Sequence, residues 1–341
     1  MADLGELIAP YRSVSIIGMC INAGKTTVLG HMIRSLSKSG QTLALTSIGR
    51  DGEDKDLVTG TKKPGIYVAE GTLVATAAEL VVRHCDVTRE ILDDTGFSTP
   101  MGNVVTLRAR SDGSIQLAGP SLTTQLAQLR EDFFRFGADK VIIDGALSRK
   151  TLCSRSVTEA TVLCTGASYS KSLETVVEDT AYHCDILTLP ETADADLRAA
   201  VDALSDPRAT LIVGESGVFA VPDGMTVTDA LRQKDAAGAR AVFFGGAISD
   251  FQMKPLIMSN ESLKGLAFVA RDASKILLKR ENFEKLGRRG VSLQVLENVN
   301  LAAITVNPFS AYGFHFHKDE LLEKMRERVD LPVINVMEDA I

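Results

Sequence analysis

Short runs of Val, Ile and Leu alternate with amphipathic stretches along almost the whole chain. The runs are apolar at successive positions, which is typical of parallel strands that are buried on both faces. The stretches between them repeat apolar residues with a helical period, as helices that cover a sheet do. This alternation predicts an α/β fold, in which a mostly parallel sheet is sandwiched by helices and built from right-handed βαβ units.

The pattern gives provisional bounds for these elements. The predicted strands are Val14–Gly18, Thr42–Ile48, Lys140–Asp144, Ala160–Thr165, Asp185–Leu189, Thr210–Val213, Ala241–Phe244, Leu266–Ala270, Val291–Leu296, Ala302–Val306 and Pro332–Val336. The predicted helices are Lys25–Ser37, Ser121–Phe136, Ser172–Tyr182, Ala193–Leu204, Asp229–Ala237, Ala273–Leu286 and Lys318–Arg328.

Composition narrows the class of protein. Hydrophobic residues make up 45% of the 341 residues and charged residues 24%, as in ordinary globular proteins. The net charge of −7 gives no bulk attraction for nucleic acid or anionic membranes, so neither is expected as a partner. Without a signal-peptide pattern, a bilayer-spanning apolar run or a Cys-x-x-Cys pair, the chain is expected to be soluble and cytoplasmic.

A glycine-bounded loop joins the first predicted strand to the first predicted helix. Gly18 and Gly24 let the backbone turn tightly, so that successive N–H groups of the loop, including those of Asn22 and Ala23, point at phosphate oxygens. Five residues separate the two glycines, one more than in the usual phosphate-binding pattern. A chance resemblance is the alternative, but the strand before the loop and the helix after it favour a phosphate site.

The first turn of the following helix supplies further ligands. The amino end of a helix carries partial positive charge, which favours anions. Lys25 is expected to reach the β- and γ-phosphates, the Thr26 hydroxyl to bind Mg²⁺, and Thr27 to contact the α-phosphate. The segment therefore predicts a site for a nucleoside triphosphate with Mg²⁺.

Two acidic residues at predicted strand ends are candidates for the metal site. Asp144 ends an apolar strand, and Asp51 follows the strand that should lie beside the first one. An acid at this edge of a parallel sheet can bind Mg²⁺ or orient a water molecule. The candidate catalytic residues are therefore Lys25, Asp51 and Asp144, and the candidate metal ligands are Thr26, Asp51 and Asp144.

The segment from Gly49 to Thr72 is polar, rich in turn residues and long for a loop inside a domain. It carries four acids, namely Asp51, Glu53, Asp54 and Asp56. Because its start should emerge beside the γ-phosphate, we expect it to act as a switch that the γ-phosphate and Mg²⁺ order. A solvated surface loop that is indifferent to nucleotide is the alternative.

These motifs together resemble the P-loop NTPases of the dethiobiotin synthetase, cobyric acid synthase and MinD class. The likeness rests on the Gly18–Thr27 loop, the strand that ends at Asp144 and the strand that ends at Asn307. It implies ATP and Mg²⁺ as ligands, with Asn307 contacting adenine. Met19 stands where MinD-type loops have a lysine, and the substrate motif that follows the second strand in dethiobiotin synthetases is missing.

The segments Gly18–Thr27, Ser47–Glu53 and Lys63–Thr72 resemble a narrower group. These are P-loop proteins encoded beside adenosylcobalamin-dependent lysine and ornithine aminomutases and named as reactivating-factor subunits of those enzymes. The resemblance implies an ATPase that drives a conformational change in a partner aminomutase and the exchange of damaged cobalamin. An ATP-dependent small-molecule ligase of the dethiobiotin synthetase type is the alternative. A nucleotide-binding module without turnover stays open, as does a homodimer.

The resemblance and the pattern of strands also divide the chain. A P-loop NTPase core is predicted over residues 1–186, and an inserted or appended α/β region over residues 187–299. Residues 300–341 are expected to form C-terminal strands and a helix that return to the nucleotide core.

Overall fold

Most of the apolar runs form strands, and most of the amphipathic stretches form helices, in the computed structural model of this chain. The structure describes residues 3–49, 65–145, 155–233, 236–260 and 262–336. The chain divides into two units. The first comprises Met1–Ala181 and Asn300–Ile341, and the second comprises Tyr182–Val299.

The strands are numbered along the chain as β1 (Ser13–Gly18), β2 (Leu43–Ser47), β3 (Ile66–Val68), β4 (Leu73–Ala77), β5 (Arg89–Thr99), β6 (Gly102–Ala109), β7 (Gly113–Ile115), β8 (Lys140–Asp144), β9 (Ala160–Gly166), β10 (Thr210–Gly214), β11 (Gly217–Ala220), β12 (Ala241–Phe244), β13 (Ile248–Ser249), β14 (Ala267–Asp272), β15 (Ile276–Leu277), β16 (Ser292–Glu297), β17 (Leu301–Asn307) and β18 (Val333–Ile334). The helices are α1 (Leu4–Ile8), α2 (Lys25–Ser37), α3 (Ala78–Arg83), α4 (Thr123–Arg135), α5 (Leu173–Leu187), α6 (Ala195–Asp202), α7 (Val227–Leu231), α8 (Asp250–Met258), α9 (Arg280–Arg288) and α10 (Lys318–Arg328).

A large central sheet organises the first unit. In the described part of that unit, nine strands form one sheet in the order β18-β17-β9-β1-β8-β2-β4-β6-β5. The strands from β18 to β4 in this order are parallel, and β6 is antiparallel to both of its neighbours, β4 and β5. This is the mixed α/β architecture, with a mostly parallel sheet flanked by helices, that the sequence predicts. The expectation that the second predicted strand lies beside the first is wrong, because β8 pairs with both and separates β1 from β2. Since β1 lies between β8 and β9, the carboxyl ends of these three strands meet at the centre of one edge.

The second unit has a smaller sheet of its own. Within its described residues, five strands are ordered β11-β10-β12-β14-β16. The strands β12, β14 and β16 are parallel, whereas β10 is antiparallel to both of its neighbours. The side chains of Leu197, Val213, Phe243 and Val269 lie in its core. In the described ranges of the whole chain, no helix has the length and apolar character needed to cross a membrane.

Two predicted elements of the second half of the chain are wrong. The predicted strand Asp185–Leu189 begins inside α5, where the buried residues Val176, Thr180, Cys184 and Leu187 are spaced three and four apart, as a helix requires. The predicted helix over 273–286 begins only at residue 280. Before it, residues 276–277 pair with β13 as the short strand β15.

Candidate nucleotide site

The loop that follows β1 starts from a buried and firmly hydrogen-bonded strand. All six residues of β1 are buried. The Met19 N–H donates to the Cys164 carbonyl of β9 at 2.8 Å, and the Gly145 N–H, just after β8, donates to the Ile16 carbonyl at 2.9 Å. The loop therefore leaves the sheet between the ends of β8 and β9, at a position that both neighbours fix.

The loop turns into α2 through two residues with left-handed backbone. Asn22 has φ 62° and Gly24 has φ 95°, and Gly24 directly precedes the helix. Glycine adopts this conformation without steric cost, which explains its place at the turn. No side chain of the described residues caps the amino end of α2. The first N–H groups of the helix are thus available to an anion, together with the positive end of the helix dipole.

The Lys25 side chain folds back over the start of the loop. Its Nζ donates to the Cys20 carbonyl at 3.4 Å. A Cβ built on Gly18 would lie 2.9 Å from Cδ and 3.0 Å from Nζ of Lys25, so the lysine occupies the space that a side chain at position 18 would need. The ammonium group therefore lies directly above the end of β1, where the loop begins.

Asp144 ends β8 beside this loop, and its Oδ1 is buried without a hydrogen-bond partner among the described residues. Burial raises the pKa of this carboxyl group to about 6, and the nearby charge of Lys25 opposes that increase. A buried acceptor with no donor is costly to maintain, and such groups are common where a ligand or ion completes the site. The observation fits an acid that receives a ligand when the site is filled.

A second unpartnered group lies in the loop itself. The Asn22 Nδ2 is buried and has no acceptor among the described residues. The Thr26 side chain is exposed in the first turn of α2, and Thr27 follows it in that turn. Ala23, which precedes Gly24 in the loop, is buried. The edge thus offers an unused donor, an unused acceptor and an accessible hydroxyl, which suit an anion accompanied by a cation.

Asn307 ends β17 on the same edge of the sheet, with β9 between it and β1. Its carbonyl accepts the Ala167 N–H at 2.8 Å, and its Oδ1 accepts the Phe309 N–H at 2.9 Å. Strands are about 4.8 Å apart, so two intervals place Asn307 roughly 10 Å from β1. This separation suits a group at the far end of a nucleotide whose phosphates lie at the β1 loop.

Of the predicted site residues, the structure brings together Gly18, Asn22, Ala23, Gly24, Lys25, Thr26, Thr27 and Asp144 around one loop and Asn307 at the same edge. Asp51 lies outside the described residues, as do Glu53, Asp54, Asp56 and most of the predicted switch segment. In the ranges that the structure describes, no group of three His, Cys, Asp or Glu side chains converges as a metal cluster.

Two residues at this edge were not predicted from the sequence. Ser47 ends β2 in register with Asp144, and its Oγ accepts the Gly119 N–H at 3.3 Å. A Cβ on Gly119 would lie 2.0 Å from the Ser47 carbonyl oxygen, so the two backbones are in direct contact. Nothing in the local sequence of either residue signals this contact, because it joins segments 72 residues apart.

Comparison with known proteins adds no assignment, since no family model matches the chain and no curated protein matches it significantly.

The contact between Gly18 and Lys25 gives a direct test of the site. We expect Gly18→Ala to weaken Mg·ATP binding about tenfold while leaving the fold intact, because the three atoms nearest to the new methyl group all belong to the flexible Lys25 side chain. The matched control is Gly30→Ala in α2, where the nearest atom to a new Cβ lies 3.5 Å away. Isothermal titration of both variants measures the effect, and equal affinities would show that Lys25 does not depend on Gly18.

Proposed function

We propose that this protein is a Mg·ATP-binding P-loop ATPase that couples hydrolysis to a conformational change in a partner protein. The partner that the sequence resemblance favours is an adenosylcobalamin-dependent aminomutase, which the ATPase would reactivate. The observation that carries the ATPase proposal is the β1 loop, where Lys25 lies over Gly18 beside the buried Oδ1 of Asp144, which has no hydrogen-bond partner in the described part of the chain.

Each residue of the loop has a role in this proposal. The N–H groups at the start of α2 donate to phosphate oxygens, and the Asn22 amide supplies a further donor. Lys25 moves from the Cys20 carbonyl to the β- and γ-phosphates, where its charge offsets the negative charge that develops during transfer. Asn307 contacts the base at the far end of the nucleotide.

The donor set also fits Mg²⁺, which prefers oxygen ligands and keeps several of its waters. The Thr26 hydroxyl and the Asp144 carboxylate are the groups of the described residues that would hold it, directly or through water. When bound, the ion neutralises phosphate charge at the site of transfer. With a pKa of about 6, Asp144 is mostly ionised at neutral pH and ready for this role.

The alternative, an ATP-dependent ligase, requires a second small-molecule pocket next to the γ-phosphate. The substrate motif that follows the second strand in dethiobiotin synthetases is missing from this chain, where Ser47–Glu53 reads SIGRDGE. Its absence favours an ATPase whose hydrolysis acts on another protein over a ligase.

Nucleotide binding is tested by thermal unfolding. A ligand at a hundred times its dissociation constant stabilises the folded state by roughly 2.7 kcal/mol, so millimolar Mg·ATP should raise the melting temperature clearly. Lys25→Ala should remove most of this increase without lowering the melting temperature of the nucleotide-free protein. A melting curve of the wild type that Mg·ATP leaves unchanged would contradict the proposal.

Coupling to a partner is tested by turnover. An ATPase that acts on a protein should hydrolyse ATP faster when the inactivated aminomutase is added, and mutase activity should return only with hydrolysable nucleotide. A ligase should instead respond to a metabolite and ignore the protein. ATPase rates measured with each addition separate the two functions.

A further inference from the structure

The outward face of α8, in the second unit, is apolar. Phe251 is 88% exposed and Met258 73% exposed, and Pro255 between them is exposed as well. These residues are four and three positions apart, so they share one face of the helix. The opposite face buries Met253 and Leu256. A helix that is apolar on both sides is typically covered by protein on both sides.

A neighbouring strand extends this surface. The residue before α8, Ser249, pairs in register with Leu277 of β15, and Leu277 is 57% exposed. Together, Phe251, Pro255, Met258 and Leu277 form what we name the α8 patch. Large apolar side chains grouped in this way on a protein surface mark interaction sites more often than single exposed residues do.

The patch is held in shape without a partner. The Ser249 Oγ caps the amino end of α8 by accepting the Gln252 N–H at 3.4 Å. At the other end, the Arg289 guanidinium donates to the Leu256 carbonyl and, at 2.8 Å, to the Ile257 carbonyl. Because both ends of the helix are fixed, a binding partner would pay little to order this surface.

Positive charge borders the patch. Lys254 is exposed on α8. Lys275 is partly exposed and precedes Leu277 by two residues in the sequence, with the buried Ile276 between them. Among the ion pairs of the described residues, none involves either lysine. The carboxylate of Asp250, four residues before Lys254, instead accepts the Lys279 N–H at 3.0 Å and the Asn282 amide at 2.8 Å. These cations stand out on a chain whose net charge is −7, and carboxylates are the groups that would complement them.

We propose that the α8 patch docks the partner protein, through a partner surface that presents apolar side chains flanked by carboxylates. This inference rests on the proposed function, which requires a partner. A second copy of this chain is the alternative occupant, and the oligomeric state of the free protein tests it. The exposed phenyl ring of Phe251 would act as the central anchor, since aromatic residues dominate the energy of such interfaces.

The test measures binding of this protein to the purified aminomutase holoenzyme from the same organism, with Mg·ATP present. Phe251→Ser should weaken binding roughly 30-fold, as expected for loss of an interface anchor. The matched control is Val82→Ser, which removes an apolar side chain that is 78% exposed on α3 of the first unit and should leave binding unchanged. Lys254→Glu should weaken binding several-fold and flatten its dependence on salt.

The possible outcomes separate this inference from the proposed function. If the wild type binds the aminomutase and Phe251→Ser binds equally well, the docking site is wrong and the proposed function stands. If the wild type neither binds nor reactivates the aminomutase, the partner is wrong and the docking proposal fails with it. Sedimentation of the free protein covers the remaining case: a wild-type dimer that Phe251→Ser converts to a monomer would assign the patch to a second copy and overturn the proposal.

Discussion

Asp144→Asn is expected to abolish Mg-dependent ATP turnover and, at the same time, to stabilise the nucleotide-free protein at pH 8. Turnover should fall on the order of 100-fold or more, because the carboxylate next to the phosphates is lost. The stabilisation follows from the pKa of about 6, which is raised from 3.8 by burial. That difference corresponds to about 3 kcal/mol, which the folded protein loses when the buried carboxyl group ionises.

The sign of this effect gives it a pH signature. The folded state binds the Asp144 proton more tightly than the unfolded state, so this contribution to stability is complete below about pH 4 and is lost as the pH rises through 6. The wild type and Asp144→Asn should therefore be similar in stability at pH 4 and differ most at pH 8. Urea unfolding at several pH values, together with ATPase assays, measures both effects.

A control variant shows whether the effects of Asp144→Asn are specific to this position or follow from the loss of any carboxylate. Asp93→Asn removes an exposed carboxylate from β5, which lies five strands from β1 in the sheet. It should change neither turnover nor the pH dependence of stability. If Asp144→Asn kept full turnover, Asp144 would not belong to the active site. If Asp144→Asn were no more stable than the wild type at pH 8, ionisation of the Asp144 carboxyl group would not destabilise the folded protein.

The hydrophobic pattern predicts buried helices and strands well, because apolar residues recur at the positions that face the core. The strand over 241–244 and the helix over 318–328 have the bounds that the pattern gives them. The long strand β5 has no such signal, since its residues are exposed or only partly buried along its whole length. Its pairing with β6 supplies its stability, and that pairing is not visible in a single stretch of sequence.

In the candidate site, too, local features are predictable from the sequence, whereas features that depend on strand order are not. The Gly18–Thr27 loop and the strand that ends at Asp144 are local features, so the sequence predicts where both lie. That β1 lies between β8 and β9 depends on strand order, which brings together segments more than 100 residues apart. Asn22 and Asp144 each carry a buried group with no hydrogen-bond partner among the described residues, and this too is visible only once the surrounding backbone is in place.

The second large effect is expected from Gly166, the last residue of β9. A Cβ at this position would lie 2.1 Å from the Asn307 carbonyl oxygen and 2.8 Å from its carbonyl carbon. These are backbone atoms of the paired strand β17, so they cannot move aside as the end of a side chain could. The same carbonyl accepts the Ala167 N–H at 2.8 Å, and separating the strands would break that hydrogen bond as well.

We therefore expect Gly166→Ala to lower the free energy of unfolding by about 3 kcal/mol or more, at the upper end of what overpacking costs. Gly246→Ala is the matched control, because Gly246 lies at the carboxyl end of another buried strand, two residues after β12, but a Cβ there would meet no atom within 4 Å. Urea unfolding compares the two variants. Where Gly166→Ala remains folded, its affinity for ATP should fall more than its affinity for inorganic triphosphate, because the displaced Asn307 serves the base and not the phosphates. A variant as stable as the control would mean that β9 and β17 can separate at this edge without cost, and the position of Asn307 would then lose its support.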